Sequence, residues 1–74
     1  DKPYIVTVNS GALTAKQWLR YQFNDAVQVA IDYAVEQLDD VNADVIRGCL
    51  EGENYWGLDD ASWEIFIGLP EDVK

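Results

Sequence analysis

The sequence contains no histidine and a single cysteine, Cys49. Without histidine, the chain lacks the commonest general base, the Ser-His and Cys-His nucleophile pairs and the usual zinc ligand. One thiol cannot form an intramolecular disulfide or a thiolate metal site, which excludes a secreted disulfide scaffold. We interpret Cys49 as a small buried hydrophobe beside Leu50 rather than as a reactive thiol.

Long apolar runs are also missing. No stretch approaches the roughly 18 apolar residues of a membrane span, and no basic segment followed by an apolar run indicates a signal peptide. We therefore expect a cytoplasmic protein with no membrane partner.

Cations are scarce. The chain has 14 acids and five bases, a net charge of −9. Residues 1–24 carry one acid and three bases, whereas residues 25–74 carry 13 acids and two bases. Such a surface repels nucleic acid and anionic membranes and attracts basic partners.

The length fits one domain, residues 1–74, because domains begin at about 50 residues. Hydrophobic residues make up 49% of the chain and aromatic residues 12%, enough for a core and too many for a disordered chain. We expect residues 70–74 to form a frayed tail.

Strand signals lie near both ends. Tyr4–Val8 is rich in β-branched and aromatic residues, as is Ser62–Ile67. Tyr55–Leu58 can pair with the latter across Asp59 and Asp60.

Residues 16–23 fit two patterns. As a strand they place Leu19, Tyr21 and Phe23 on one face, and as a helix begun at Thr14 they align Leu19 and Phe23 with later alanines. We favour the strand, because Asn24 and Asp25 suit a helix N-cap better than a helix interior, and because it gives the first strand a hairpin partner.

Two helices follow. The first is predicted over Asp25–Leu38 and the second over Ala43–Leu50, with Asn42 as N-cap and Gly52 as the stop. Their buried faces are predicted to be Val27, Ala30, Ile31, Ala34, Val35 and Leu38 in the first, and Val45, Ile46, Cys49 and Leu50 in the second. The fold class is α+β, a small antiparallel sheet of three to four strands packed against one long and one short helix, in the order ββααβ or ββααββ.

A possible calcium loop falls between these helices. Asp40, Asn42, Asp44 and Glu51 occupy positions 1, 3, 5 and 12 of an EF-hand window. The EF-hand needs glycine at position 6, where this chain has Val45, and the window itself has helical spacing. We predict no metal site and no cofactor.

Catalysis has little support. Asp39-Asp40 and Asp59-Asp60 are carboxylate pairs of the kind used in acid–base chemistry, but adjacent acids in turns are usually solvated. The chain has no glycine-rich phosphate loop. We predict a protein that is not an enzyme and has no catalytic residues.

An acidic row is the sharpest feature. On a helix, Asp25, Asp32, Glu36, Asp39 and Asp40 fall on one side, and successive steps along Asp25, Asp32, Glu36 and Asp40 rise about 10, 6 and 6 Å. Like charges at i,i+4 destabilise a helix, as do anions at its C-terminus. Something other than folding therefore favours these acids.

Trp56 stands in an acidic segment flanked by glycines. It is the best candidate among the three tryptophans for an exposed contact residue, since interfaces are enriched in tryptophan. The alternative is a core position.

A short chain with acids crowded on helices and turns resembles the phage-encoded inhibitors that mimic nucleic acid, such as anti-CRISPR and anti-restriction proteins. The resemblance is one of overall character across the chain, without a diagnostic motif. It implies binding to a basic, nucleic-acid-handling surface of another protein, as a monomer or homodimer. The candidate partner-binding residues are Asp25, Asp32, Glu36, Asp39, Asp40, Asp44, Glu51, Glu53, Trp56, Asp59 and Asp60.

A second hypothesis stays open. The chain can instead be an interaction or assembly module, possibly homodimeric, whose contact is apolar or aromatic and whose acids serve solubility.

Overall fold

A computed structural model describes residues 2–11 and 15–69 of the chain. Its described part is a four-stranded antiparallel sheet with two helices, which confirms the predicted α+β class in its ββααββ order. The strand order across the sheet is β2-β1-β4-β3. The elements are β1 (Tyr4–Asn9), β2 (Lys16–Arg20), α1 (Phe23–Gln37), α2 (Ala43–Glu53), β3 (Tyr55–Gly57) and β4 (Glu64–Gly68).

Residues 16–23, whose sequence fits both a strand and a helix, form a strand over Lys16–Arg20 and enter α1 only at Phe23. Lys16–Arg20 pairs antiparallel with β1, which confirms the predicted hairpin. The predicted extension of this strand to Phe23 is wrong, because Phe23 begins α1. Its ring packs edge-on against Tyr4, with centroids 5.5 Å apart. This contact with the neighbouring strand favours a turn after Arg20.

The start of α1 differs from the prediction. The N-cap is Gln22, whose side chain makes no capping hydrogen bond, rather than Asn24 or Asp25. The Gln22 carbonyl accepts the first helical bond from the Ala26 N–H at 3.0 Å. Packing of Phe23 therefore sets this helix start in place of local capping.

One predicted core position of α1 is wrong. Val35 is 50% exposed, whereas Ala26, Val27, Ala30, Ile31 and Ala34 are buried. Alanines on the inner face allow the helix to approach the sheet closely, which narrows the buried stripe and leaves Val35 outside it. Leu38 is half-buried and already extended, one residue past the end of the helix.

The second helix begins as predicted and ends later. The Asn42 side chain accepts hydrogen bonds from the N–H groups of Asp44 at 2.8 Å and Val45 at 3.3 Å, which confirms the N-cap. The predicted stop at Gly52 is wrong, because the helix continues to Glu53. Asn54 ends it in the left-handed conformation, with φ 59°, one that asparagine tolerates better than most residues.

The buried face of α2 is narrower than predicted. Ile46 and Leu50 are fully buried, as predicted. Val45 is 55% exposed, so its assignment to the buried face is wrong. Cys49 is half-buried, so it lies at the edge of that face and not in the core. A single helix resting on one side of a sheet buries only about one residue per turn completely.

The sheet has two different faces. Val6, Val8, Ile65 and Ile67 point toward the helices and are buried. Both described helices pack on this inner face. The alternate residues of the strands point to the other side, hereafter the outer sheet face.

The last hairpin is shorter than predicted. The final strand starts at Glu64 rather than Ser62, and its partner β3 ends at Gly57. A hydrogen bond of 3.0 Å from the Leu58 N–H to the Trp63 carbonyl closes the hairpin. The predicted frayed tail, residues 70–74, lies outside the described residues. No described helix is long and apolar enough to cross a membrane.

Candidate protein-binding surface

Every carboxylate predicted to bind a partner is exposed to solvent. The ten acids are Asp25, Asp32, Glu36, Asp39, Asp40, Asp44, Glu51, Glu53, Asp59 and Asp60. Exposure leaves them available for contact without a rearrangement of the fold. The described part of the chain contains no detectable pocket, so the candidate site is a surface.

The acidic row on α1 is shorter than predicted. Asp25, Asp32 and Glu36 lie on its outward face, spaced by rises of about 10 and 6 Å. Asp39 and Asp40 do not continue this row on the helix, because α1 ends at Gln37. Leu38 turns inward to cover the core, and this takes the chain out of the helix.

The fold nevertheless brings several acids to one end of the molecule. The second helix returns antiparallel to the first. The Asn54 carbonyl at its end accepts the Ile67 N–H at 2.9 Å, and Ile67 pairs with Val6 of β1, the strand on whose Tyr4 the start of α1 packs. Tyr33, in the second half of α1, stacks on Trp63 with centroids 5.9 Å apart, which places the β3–β4 turn near the end of α1. We call this group the acidic end; it comprises Glu36, Asp39, Asp40, Asp44, Asp59 and Asp60.

The remaining acids lie elsewhere. Asp32 is in the middle of α1, while Asp25, Glu51 and Glu53 lie toward the opposite end, where α1 begins and α2 finishes. The structure therefore divides the predicted set into a larger and a smaller group.

Arg47 is the only cation between residues 25 and 69, and it does not neutralise the acidic end. Its Nη2 donates to Gln28 Oε1 at 2.7 Å, and Gln28 Nε2 donates to Asp32 Oδ1 at 2.8 Å. This chain links the two helices and orients one carboxylate of the α1 row. The sequence prediction missed Gln28 and Arg47, although the i,i+4 spacing of Gln28 and Asp32 is a recognisable signal.

The β3–β4 turn holds one of its acids in place. Asp60 Oδ1 accepts the Ser62 N–H at 3.0 Å. Hydrogen bonds from the Ser62 side chain and then from its backbone lower the pKa of Asp60 below the ordinary 3.8. Asp60 therefore stays charged over a wider acidic range, and its bonds to the turn are lost only as pH falls through this lowered pKa.

Trp56 is not in a loop. It lies in β3, half-buried and packed against the core, and meets Trp63 edge-on at 6.2 Å between centroids. Its position in a strand agrees with the predicted strand Tyr55–Leu58, and its packing against the core corresponds to the alternative that the sequence left open. Its register partner is Ile65, an inward residue, and this register turns the indole toward the helices.

The aromatic cluster continues across the inner face. Tyr33 lies between Trp18, at 5.0 Å, and Trp63, at 5.9 Å. Lys16 Nζ stands 5.3 Å from the centre of the Tyr33 ring. This packing explains the tryptophans as structural residues and needs no base-stacking role.

The calcium window does not form a loop. Its last nine residues, from Ala43 onward, are helical, and Asn42 uses its side-chain oxygen as the N-cap. Among residues 2–11 and 15–69, no three His, Cys, Asp or Glu side chains are grouped so that they could hold a metal ion.

One polar pair lies on the outer sheet face and was not predicted. Tyr55 Oη donates to Glu64 Oε2 at 2.7 Å, and the Tyr55 ring lies against Phe66 at 5.1 Å. Glu64, like Asp60, is thus hydrogen-bonded within the chain.

Comparisons with protein-family models, with curated proteins and with solved structures found no match to this chain.

Proposed function

We propose that this chain is a non-enzymatic acidic protein that occupies the basic nucleic-acid-binding surface of another protein, such as a host nuclease or a CRISPR-type complex. The observation that carries the proposal is the set of ten exposed carboxylates, six of them at the acidic end, with Arg47 as the sole cation between residues 25 and 69.

The spacing of the carboxylates suits a phosphate-binding partner. Asp32 and Glu36 are separated by a rise of about 6 Å, and phosphates of one DNA strand by about 3.4 Å along the duplex axis, so the row can stand in for alternate phosphates. Arginine and lysine side chains that bind phosphates also bind carboxylates, in the case of arginine through paired hydrogen bonds.

Folding alone does not account for these acids. Asp32 and Glu36 are a like-charge pair at i,i+4, and Glu36 lies in the last turn of α1, which has no basic residue. Both arrangements destabilise a helix. Their presence supports a role outside the fold.

The test is affinity capture from bacterial lysate with the full chain, repeated in the presence of duplex DNA. We expect recovery of a nucleic-acid-binding protein that DNA displaces. Raising salt from about 50 to 300 mM should weaken the complex, because screening shortens the range of charge attraction. A complex that is indifferent to both DNA and salt contradicts the proposal.

A matched pair of variants locates the surface. Glu36→Gln with Asp40→Asn removes two negative charges at the acidic end and should weaken capture by at least about tenfold, since two charge-assisted contacts are lost. Asn9→Lys with Gln17→Lys changes the net charge by the same amount on the outer sheet face. Equal loss in both variants would mean that total charge, not this surface, drives binding.

A second function, an assembly module with an apolar contact, is favoured by a different observation. The outer sheet face leaves Phe66 42% exposed and Leu19 55% exposed. Trp56, which packs inward, does not contribute to this surface.

A further inference from the structure

The outer sheet face carries as many apolar or aromatic side chains as polar ones, and the polar ones are Thr7, Asn9, Gln17 and Glu64. Solvated faces of antiparallel sheets usually carry polar residues at the outward positions. Here the register aligns Leu19 with Ile5, and Phe66 with Tyr55, across neighbouring strands. Within the described residues both helices pack on the opposite face, so these side chains have no cover from them.

Charge distinguishes this face from the rest of the molecule. Glu64 is the only carboxylate at its outward strand positions, and it already accepts the Tyr55 hydroxyl at 2.7 Å. The other described acids lie on the helices, in the α1–α2 connection or in the β3–β4 turn. Two copies that each carry a net charge of −9 repel through those regions, and the outer sheet face is where they can meet with the least repulsion.

The face also has a shape that complements itself. Phe66 projects from β4, and Gly68, two residues along on the same side, leaves a notch beside Ile5. A Cβ added to Gly68 would stand 3.7 Å from the Ile5 carbonyl oxygen and 3.8 Å from Ile5 Cβ. A two-fold axis between ring and notch would seat each Phe66 ring in the notch of the other copy. Glu64 lies beyond Phe66 on the side away from Gly68, so it would fall toward the rim.

The dimensions permit such a contact. Four strands about 4.8 Å apart, of at most six residues at about 3.4 Å each, give a face of roughly 400 Å². This is about half of the roughly 800 Å² per partner of a standard interface, and it corresponds to a weak dimer.

We propose that a second copy of this chain binds the outer sheet face, forming a two-fold dimer with Phe66 near its centre, Leu19 of the edge strand β2 toward its rim and the acidic helices on its two outer sides. The proposal deepens the second function given above, the assembly module with an apolar contact, and does not rest on the first. If both are correct, one dimer presents two acidic surfaces in opposite directions.

Sedimentation equilibrium of the full chain over a concentration series tests the dimer. We expect a concentration-dependent dimer that strengthens as salt rises, because screening reduces repulsion between the copies. This is opposite to the salt effect expected for the basic partner, so failure of one proposal is distinguishable from failure of the other. A chain that stays monomeric at concentrations of about 1 mM overturns the dimer.

Two variants of equal exposure provide the control. Leu19 and Val45 are both 55% exposed, the first on the outer sheet face and the second on α2. Leu19→Ser should weaken the dimer, and Phe66→Ser should weaken it by at least about 30-fold, as for a central interface residue. Val45→Ser should leave it unchanged. A dimer that tolerates Phe66→Ser, or that is lost with Val45→Ser, contradicts this interface.

Gly68→Ala tests the notch without removing an apolar group. Its added methyl meets only ordinary contacts within the chain, at 3.7 and 3.8 Å, so thermal unfolding should show an intact fold. The same methyl fills the notch, and we expect the dimer to weaken by at least about tenfold. A dimer of unchanged affinity would show that Phe66 does not occupy that notch.

Discussion

At the scale of the residue, Tyr55 shows how neighbouring side chains fix one another. Its hydroxyl donates to Glu64, and its ring passes over Gly57, where an added Cβ would come within 2.5 Å of Oη. Glycine at position 57 leaves room for this hydrogen bond. The sequence shows all three residues but not that a two-stranded register brings them together.

The Tyr55–Glu64 pair gives a pH prediction. The hydrogen bond to Glu64, then desolvation and then the Glu64 charge, raise the pKa of Tyr55 above the ordinary 10.0. Since the raised pKa favours the neutral phenol, the stabilisation is fully present below the unfolded pKa and is lost as pH rises through the folded pKa. In an absorbance titration, Glu64→Gln should lower this tyrosine's pKa toward 10.0.

The assignment has its own control. Tyr55→Phe should remove the titration step that Glu64→Gln shifts. If that step survives Tyr55→Phe, another tyrosine is responsible and the hydrogen bond is not the cause.

At the scale of the element, the two helices start by different means. The second has a side-chain cap from Asn42, whereas the first begins at Gln22 without one and relies on the packing of Phe23 against Tyr4. Local sequence signals identify the start of α2 correctly. They mislead at the start of α1, where Asn24 and Asp25 look like caps but lie inside the helix.

Substituting one asparagine at the start of each helix tests which of the two helices depends on a side-chain cap. Asn42→Ala should lower the free energy of unfolding by about 1 kcal/mol, because two N–H groups at the start of α2 lose their acceptor. Asn24→Ala, a matched change within the first turn of α1, should have little effect or a slightly stabilising one. Urea denaturation of both variants gives the comparison, and equal losses would show that Asn24 also caps.

A glycine within α2 gives a substitution that should raise, not lower, the free energy of unfolding. A Cβ on Gly48 would meet nothing within 4 Å, so Gly48→Ala should stabilise the protein by about 0.5–1 kcal/mol through backbone entropy. Gly57→Ala is the control. Its methyl would displace the Tyr55 hydroxyl and should cost about 1 kcal/mol. Thermal or urea unfolding distinguishes the two, and a destabilising Gly48→Ala would indicate a contact absent from the described fold.

At the scale of the whole molecule, charge is unevenly distributed. The described acids lie on the helix side and at the turns, while the outer sheet face has Glu64 as its only carboxylate at the outward strand positions. This division supports one surface for a basic partner and another for an apolar contact.

Self-repulsion should make stability depend on salt. With a net charge of −9, the free energy of unfolding should rise as sodium chloride increases from about 50 to 300 mM, because screening reduces repulsion in the compact state. Glu36→Gln with Asp40→Asn should raise stability most at low salt and flatten this dependence. Urea titrations at several salt concentrations measure it, and stability that falls with salt would contradict the repulsion.

The sequence by itself determined which segments are helices and strands, the cap at Asn42 and the total charge. These depend on periodicity, propensity and composition, which are local properties. The predicted fold class is confirmed for this reason, and the exposure of the acids follows from the cost of burying charge.

The tertiary structure alone decided how those elements meet. It placed β4 between β1 and β3, turned Trp56 inward and left Val35, Val45 and Phe66 outside the core. It also ended α1 before Asp39 and so replaced a single helical row of acids by a group at one end. Periodicity shows that a helix or strand has an apolar side. Packing decides how much of that side is buried and which other helices and strands lie against it.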